Sequence, residues 1–277
     1  MNIVFFGSTS FAAQDLVNSL EIKYKTYLIS RKKSTKKNFY YFDLNNKNIK
    51  LNQTLKIKKI DYLFFFSSFV PIKEDQSTWE QCRNTNVDGL IRLLQNLKIP
   101  VKKIILASSC SLYGHKKDTC NEESFLRPRS GYSLSKLMQE NILKVYCYKE
   151  SIRFLSYRLG YVYGNKMNKR RLVKRILLNH KNKKKIIIYN RNLNLNLIHT
   201  KDISSLILKT FKKAVGIFNL TDPNRITLGN FHKILIGKKY KNIKEKNYYS
   251  SRKFFKNFPN LKILRIEKRI KNFIHEI

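Results

Sequence analysis

A tyrosine and a lysine four residues apart share one face of a helix, and the run Gly131-Tyr132-Ser133-Leu134-Ser135-Lys136 offers such a pair. An ammonium beside a phenol stabilises the phenolate, so Tyr132 could donate or accept a proton near neutral pH. Hydride transfer at a carbinol or carbonyl carbon needs that service. Spacing alone does not single the pair out in a chain with 16 tyrosines and abundant lysine, because Tyr113/Lys117 and Tyr240/Lys244 repeat it. Position does. Tyr132 opens a strongly patterned helix that follows a strand ending in Ala107-Ser108-Ser109-Cys110-Ser111-Leu112-Tyr113-Gly114. Hydroxyls at the C-terminal end of such a strand face the ligand crevice of an open α/β sheet, where they can polarise a substrate oxygen.

A second constellation lies near the N-terminus. The turn Phe6-Gly7-Ser8-Thr9-Ser10-Phe11-Ala12-Ala13 joins a strand to a helix, a place where free N–H groups and the helix dipole favour a dinucleotide pyrophosphate. Gly7 suits the tight turn and Ala13 is small enough for helix–strand packing. Ser10 puts a side chain where the backbone should approach the phosphate most closely. Gly7, Thr9, Ser10 and Phe11 are candidate cofactor contacts, with an ordinary βα loop as the alternative. The second strand ends in Ser30-Arg31-Lys32-Lys33, without an acid. A carboxylate there would suit NAD, whereas Arg31 suits the 2′-phosphate of NADP and tips the expectation slightly toward NADP. Asp43, after the third strand, is a candidate for the adenine side of the pocket.

These residues need a scaffold, and the first half of the chain supplies its rhythm. Asn2–Phe6, Thr26–Ser30, Phe39–Phe42, Asp61–Phe66, Lys103–Ser108 and Ile152–Arg158 read as strands. Helical spacing covers Ala12 to Leu20, Val87 to Leu97 and Tyr132 to Tyr148. Short apolar strands separated by helices call for a parallel sheet covered on both faces. From about Asn165 the rhythm weakens into a helix within Lys166–Lys185, a short strand near Ile186–Tyr189, a helix from Asp202 and a basic amphipathic tail. The expected fold is α/β, a Rossmann-like doubly wound parallel sheet over 1–164 with a smaller C-terminal substrate lobe over 165–277, part of which crosses back.

The formal net charge of +39 invites a nucleic-acid reading. The lysines are spread along the chain and accompanied by Asn and Ile, which points to composition rather than a dedicated interface. Binding to nucleic acid is expected only non-specifically at low salt. With 42% hydrophobic residues the chain can bury a substantial core. The four cysteines show no metal-ligand spacing and form no disulfide scaffold, Met1 leads straight into an apolar strand, and no apolar run could span a bilayer. A cytoplasmic protein with no metal and no membrane partner is the expectation.

The ordered set of motifs resembles the NAD-dependent epimerase/dehydratase family, the extended short-chain dehydrogenases that act largely on nucleotide sugars. It comprises the Gly7 turn, Asp43-Leu44, Tyr62–Phe66 with Ser67-Ser68, Asn86-Val87-Asp88-Gly89, Ser108-Ser109 through Tyr113-Gly114, Tyr132–Lys136, Arg158 to Tyr163-Gly164, Ile198-His199 to Asp202, and Phe218-Asn219-Leu220. The resemblance implies that Tyr132 is the acid/base and that Lys136 binds the nicotinamide ribose. It further implies that Ser109 hydrogen-bonds the reacting oxygen, Asn86 supports the lysine's network, Ser67 lies along the cofactor channel, and Asp43 and Leu44 border the adenosine. Many relatives pair as homodimers through the helices at Val87–Leu97 and Tyr132–Tyr148. The chain departs from the family at Ser10 and Ala13, at Cys110-Ser111, which argues against 4,6-dehydration, and at Leu195-Asn196, where Arg191 could compensate for a lost diphosphate contact. His199 reads as a structural histidine. The expected substrate is a nucleotide-linked sugar, with a ketosugar reductase slightly ahead of an epimerase. The rival reading is a catalytically impaired binding or regulatory module for a dinucleotide or RNA.

Overall fold

The apolar run Asn2–Phe6 forms strand β1, and its alternate residues face opposite sides of the sheet. Ile3 and Phe5 join one buried cluster while Val4 and Phe6 join another. This double burial explains why the strand reads as unbroken hydrophobicity. The computed structural model describes residues 1–32, 34–46, 51–73, 75–114, 119–224, 226–239 and 249–276. Lys33, Lys117, Tyr240 and Lys244, named above, lie outside the described residues.

Helix α1 (Gln14–Lys23) follows, then β2 (Lys25–Ser30), β3 (Phe39–Tyr41), α2 (Leu51–Leu55) and β4 (Tyr62–Phe65). Next come α3 (Gln76–Cys82), a π-helical turn at Arg83–Asp88, α4 (Gly89–Asn96), β5 (Lys103–Ser109) and α5 (Gly131–Lys149). The second half contains β6 (Arg153–Leu159), β7 (Tyr161–Tyr163), α6 (Leu172–Lys181), β8 (Leu197–His199), α7 (Thr200–Thr210) and β9 (Gly216–Leu220). Helices α8 (Leu228–Leu235), α9 (Arg252–Asn257) and α10 (Ile266–Glu276) complete the order.

Seven strands form one parallel sheet in the order β3-β2-β1-β4-β5-β6-β9. The expected doubly wound sheet is what forms. Strand order reverses between β1 and β4, so the crevice beyond their C-terminal ends is where such a sheet takes its ligand. Helices α1 and α7 pack together over the cluster that holds Phe5, Phe64 and Leu155. Residues of α4 and α5, with Leu51 and Leu55 of α2, cover the opposite face. A third cluster joins Tyr163, Val173, Leu197, Phe231 and Phe273, and it builds the C-terminal part around the two-stranded β7–β8 pair. Strand β9 returns from that part to the edge of the main sheet.

Two expectations change. Ile186–Tyr189 is not a strand: Ile186 and Ile188 pack against the third cluster without a ladder partner. Strands β7, β8 and β9 and helices α2, α3, α8 and α9 went unrecognised as elements, each being eight residues or shorter.

Candidate active site

Residue spacing placed Tyr132 and Lys136 on one helix, and the structure shows what seats that helix. Ser130 and Ser133 form a reciprocal cap at the start of α5. Gly131 lies so close to α3 that a Cβ would stand 2.9 Å from the Trp79 ring. Only glycine permits this approach, and it brings Tyr132 to the wall of a cleft of about 760 Å³. Ser109, at the end of β5, lines the same cleft, as do Ser10 and Phe11 of the first turn, Ser68 and Lys136.

Burial pushes the Tyr132 phenol up to about 12, while a hydrogen bond with Ser109 and the Arg171 charge pull it back. Lys136 engages elsewhere. Its ammonium donates to Gln139 Oε1 at 2.6 Å and to Ser68 Oγ at 3.1 Å, and burial lowers it to about 7 against the opposing Glu140 charge. Gln139 Nε2 donates to the Asn86 carbonyl at 2.8 Å. The Asn86 side chain, buried in the π-helical turn, accepts from Phe69 N at 2.6 Å and donates to Ser135 Oγ at 2.9 Å. Asn86 thus fixes both the segment after β4 and the first turns of α5, and its carbonyl holds the glutamine that holds the lysine.

Ser109 Oγ accepts from Ser111 N at 3.1 Å and pairs with Ser111 Oγ at 2.9 Å. Behind it lies a buried polar floor. Arg158 donates to Glu140 at 2.5 Å and to Tyr113 Oη at 2.8 Å, and Tyr113 Oη donates to Asn219 Oδ1 at 2.7 Å. These contacts lock the turn after β5 to α5, β6 and β9 beneath the site.

At the other end of the cleft Gly7 adopts φ +80, and a Cβ there would meet Ser67 N at 2.5 Å. Ser67 therefore backs the turn, and its neighbour Ser68 lines the cleft. Thr9 Oγ1 bonds Ser30 Oγ at 2.6 Å. Ser10 N donates to the Gly7 carbonyl, whereas Ser10 Oγ is buried without a partner among the described residues. The N–H groups of Phe11 and Ala12 likewise have no acceptor among the described residues. An orphaned hydroxyl and two free amides beside a helix start fit the phosphates of a dinucleotide. Arg31 is exposed just beyond β2. Asp43 Oδ1 accepts from Asn45 N at 3.0 Å, and Leu44 is buried against Gly89, where a Cβ would come within 2.8 Å of Leu44 Cβ.

Ser68 and Arg171 of the cleft lining, and Gln139 buried behind Lys136, escaped the sequence reading as site residues. Gln139 sits one turn beyond Lys136, a legible signal. Arg171 was hidden in the basic run 166–175. Leu195 and Asn196 do line the cleft, and Arg191 does not stand among its described lining residues. His199 is buried between Tyr163 and Phe273, its Nδ1 accepting from Lys201 N at 3.2 Å at the start of α7. Burial holds its pKa down to about 3. No helix among the described residues is long and apolar enough to cross a membrane.

With this geometry in place, known proteins can be set beside it. The uncharacterized protein MJ1055 of Methanocaldococcus jannaschii is 25% identical, over 90% of this chain and 83% of its own. The UDP-glucose 4-epimerase of Thermotoga maritima, solved with UDP-glucose, superimposes with a TM-score of 0.84 at 17% identity, over 100% of this chain and 98% of its own. The UDP-glucuronic acid 4-epimerase of Bacillus cereus, solved with NAD, gives a TM-score of 0.84 at 17% identity, over 100% and 96%. These likenesses show the fold. Residues 3–221 match the model of the NAD dependent epimerase/dehydratase family, and the chain belongs to that family.

Proposed function

We propose that the chain is an NAD-dependent epimerase of a nucleotide-linked sugar. The observation that carries this is the convergence of Ser109, Tyr132 and Lys136 on one cleft, with the Gly7–Ala12 turn bordering it. NAD, when bound, supplies the hydride acceptor that lets a sugar carbinol become a ketone and return. Ser10 Oγ and the free amides of Phe11 and Ala12 would hold its phosphates, Asp43 and Leu44 would border its adenosine, and Lys136 would take the nicotinamide ribose. Tyr132 takes the proton of the carbinol oxygen and gives it back, and Ser109 donates to that same oxygen. Residues 165–277 contribute the far wall of the cleft, which is where the sugar nucleotide would lie.

The slight preference for a ketosugar reductase rested on Arg31 and a loose phosphate turn. It draws no support from the two solved structures named above, both 4-epimerases, the Bacillus cereus one solved with NAD. An epimerase keeps its cofactor, and NAD is favoured here over NADP. The test begins with release of any co-purified dinucleotide, followed by NMR detection of C4 epimers formed from a panel of nucleotide sugars. Tyr132→Phe should lower turnover by roughly 10²–10⁴-fold. Turnover that survives this substitution nearly unchanged would sink the mechanism. The net charge of +39 favours a second reading, a module that binds dinucleotide or RNA. RNA binding that persists at physiological salt, together with absent turnover, would select it.

A further inference from the structure

Cations are spread along the whole chain, but acids are not. None of the 18 acidic residues falls between Glu150 and Asp202 or between Asp222 and Glu245. Asp202 and Asp222 are themselves buried. The fold joins parts of these two acid-free stretches. Just past α6, Lys183 N and Lys184 N donate to the His180 and Asn179 carbonyls at 3.0 and 2.8 Å, turning the chain back over the helix end. Further on, Leu228 N and Gly229 N at the start of α8 donate to the Leu193 and Arg191 carbonyls, each at 2.8 Å. Residues 183–193 are therefore strung between α6 and α8.

Between those anchors the side chains take sides. Ile186 and Ile188 pack into the cluster that both helices share, and Ile187 and Tyr189 stand outward at 60% and 94% exposure. Lys183, Lys184, Lys185 and Arg191 flank them, all exposed, and no acid lies within the segment. Cations beside outward apolar side chains fit a surface that is anionic and has an apolar layer just beneath it. A nucleic acid would meet the lysines and stack on Tyr189, but it offers Ile187 no aliphatic cover. A lipid surface accounts for both the charge and the isoleucine.

We propose that residues 183–193 form a peripheral docking surface for an anionic lipid bilayer, with Ile187 and Tyr189 entering the headgroup boundary and the four cations facing lipid phosphates. Asn190 and Asn192, on the same segment, line the cleft. The docked chain therefore opens its cleft beside the membrane. This contact lies on the bilayer and spans nothing, and it replaces the expectation of no membrane partner. It is independent of the reaction assigned to the cleft.

The test sediments the full chain, at about physiological salt, with vesicles of phosphatidylcholine alone and of phosphatidylcholine mixed with phosphatidylglycerol. Wild type should bind the mixed vesicles and leave the neutral ones. Lys183→Gln with Lys184→Gln and Lys185→Gln should lower that binding by roughly 100-fold, each surface lysine being worth about 1 kcal/mol. Lys56→Gln with Lys58→Gln and Lys59→Gln removes the same charge from exposed positions between α2 and β4 and should leave binding nearly unaltered. Ile187→Ser with Tyr189→Ser keeps every cation and should weaken binding by roughly tenfold or more. Absence of binding to the mixed vesicles overturns the proposal. Equal losses in the two lysine triples overturn it too, because net charge rather than this surface would then be acting. Undiminished binding after the Ile187 and Tyr189 changes would reveal a site for polyanions in general and overturns it as well. Poly(U) binding that the Lys183–Lys185 triple weakens, with vesicles left unbound, would assign the surface to RNA instead.

Discussion

The Lys136 ammonium donates to the Gln139 amide oxygen at 2.6 Å, and both side chains are buried. The lysine is held by its own helix, and Ser109 and Arg171, not Lys136, are the groups that draw the Tyr132 phenol down. Burial lowers the amine to about 7, so the sign of its effect on stability is fixed. Below that pH it is charged in the folded and unfolded states alike, and the burial penalty is fully in force. As pH rises from about 7 toward the ordinary 10.5, the folded amine is neutral while the unfolded one still carries a proton, so stability climbs. Lys136→Met should remove this climb, as read from urea unfolding of the NAD-free protein at several pH values. Gln139→Leu leaves the lysine without its short partner and should weaken NAD binding by about tenfold, consistent with loss of one charged hydrogen bond. Unaltered affinity would mean that Gln139 does not position Lys136.

Glu140 lies one turn beyond Lys136 and is fully buried against Arg158, which is itself 2% exposed. Burial pushes the Glu140 carboxyl up, and the Arg158 contacts outweigh it, so the net displacement is downward. A carboxyl held low stabilises the fold above its ordinary range, and that contribution is lost as pH falls through its folded value. Arg158→Met strands a buried charge and should cost about 3–5 kcal/mol in denaturant unfolding. Glu140→Met with Arg158→Met should cost much less than the sum of the single changes. Additive costs would show that the pair does not act as a unit.

The sheet was legible wherever burial on both faces leaves a continuous apolar run, as at Phe5-Phe6 and Leu63–Phe65. It was illegible at β9, where Asn219 sits mid-strand because its side chain accepts from Tyr113 and donates to the Ser250 carbonyl at 3.0 Å. Tertiary partners, absent from any local pattern, decide such a residue. Ile186–Tyr189 failed in the opposite way. Its continuous β-branched run reads as a strand, yet with no neighbour to pair with, only Ile186 and Ile188 find cover. In the site, Tyr132 and Lys136 were found because helix spacing is a local property. Arg171 was not, because one cleft-lining arginine among solvated lysines differs only by what surrounds it.

The α5 face turned away from the sheet carries Leu134, Met138, Val145 and Tyr148, all exposed, with Ile91 of α4 exposed as well. Positions 134, 138, 145 and 148 fall on one stripe of a 3.6-residue helix. Apolar side chains gathered on a helix face are what a homodimer of this chain would cover. Sedimentation should show a dimer in wild type, and Met138→Lys with Val145→Lys should give a folded monomer. A wild-type monomer at micromolar concentration would remove this stripe as an interface.

Asp222 is 5% exposed, and its Oδ1 accepts from Asn224 N at 2.7 Å and Asn224 Nδ2 at 2.9 Å. Burial raises its carboxyl to about 7, the two Asn224 bonds offsetting part of the effect and the Asp202 and Glu267 charges adding to it. Between the ordinary 3.8 and about 7 the folded chain holds a proton that the unfolded chain has released. Stability contributed by this group therefore falls as pH rises across that window and stays low above it. Asp222→Asn removes the charge and keeps an oxygen for the Asn224 N–H. Above neutrality the variant should exceed wild type by on the order of 2–4 kcal/mol, with the gap closing toward pH 4. A gap that does not change with pH would show that the substitution acts through packing rather than through the buried charge.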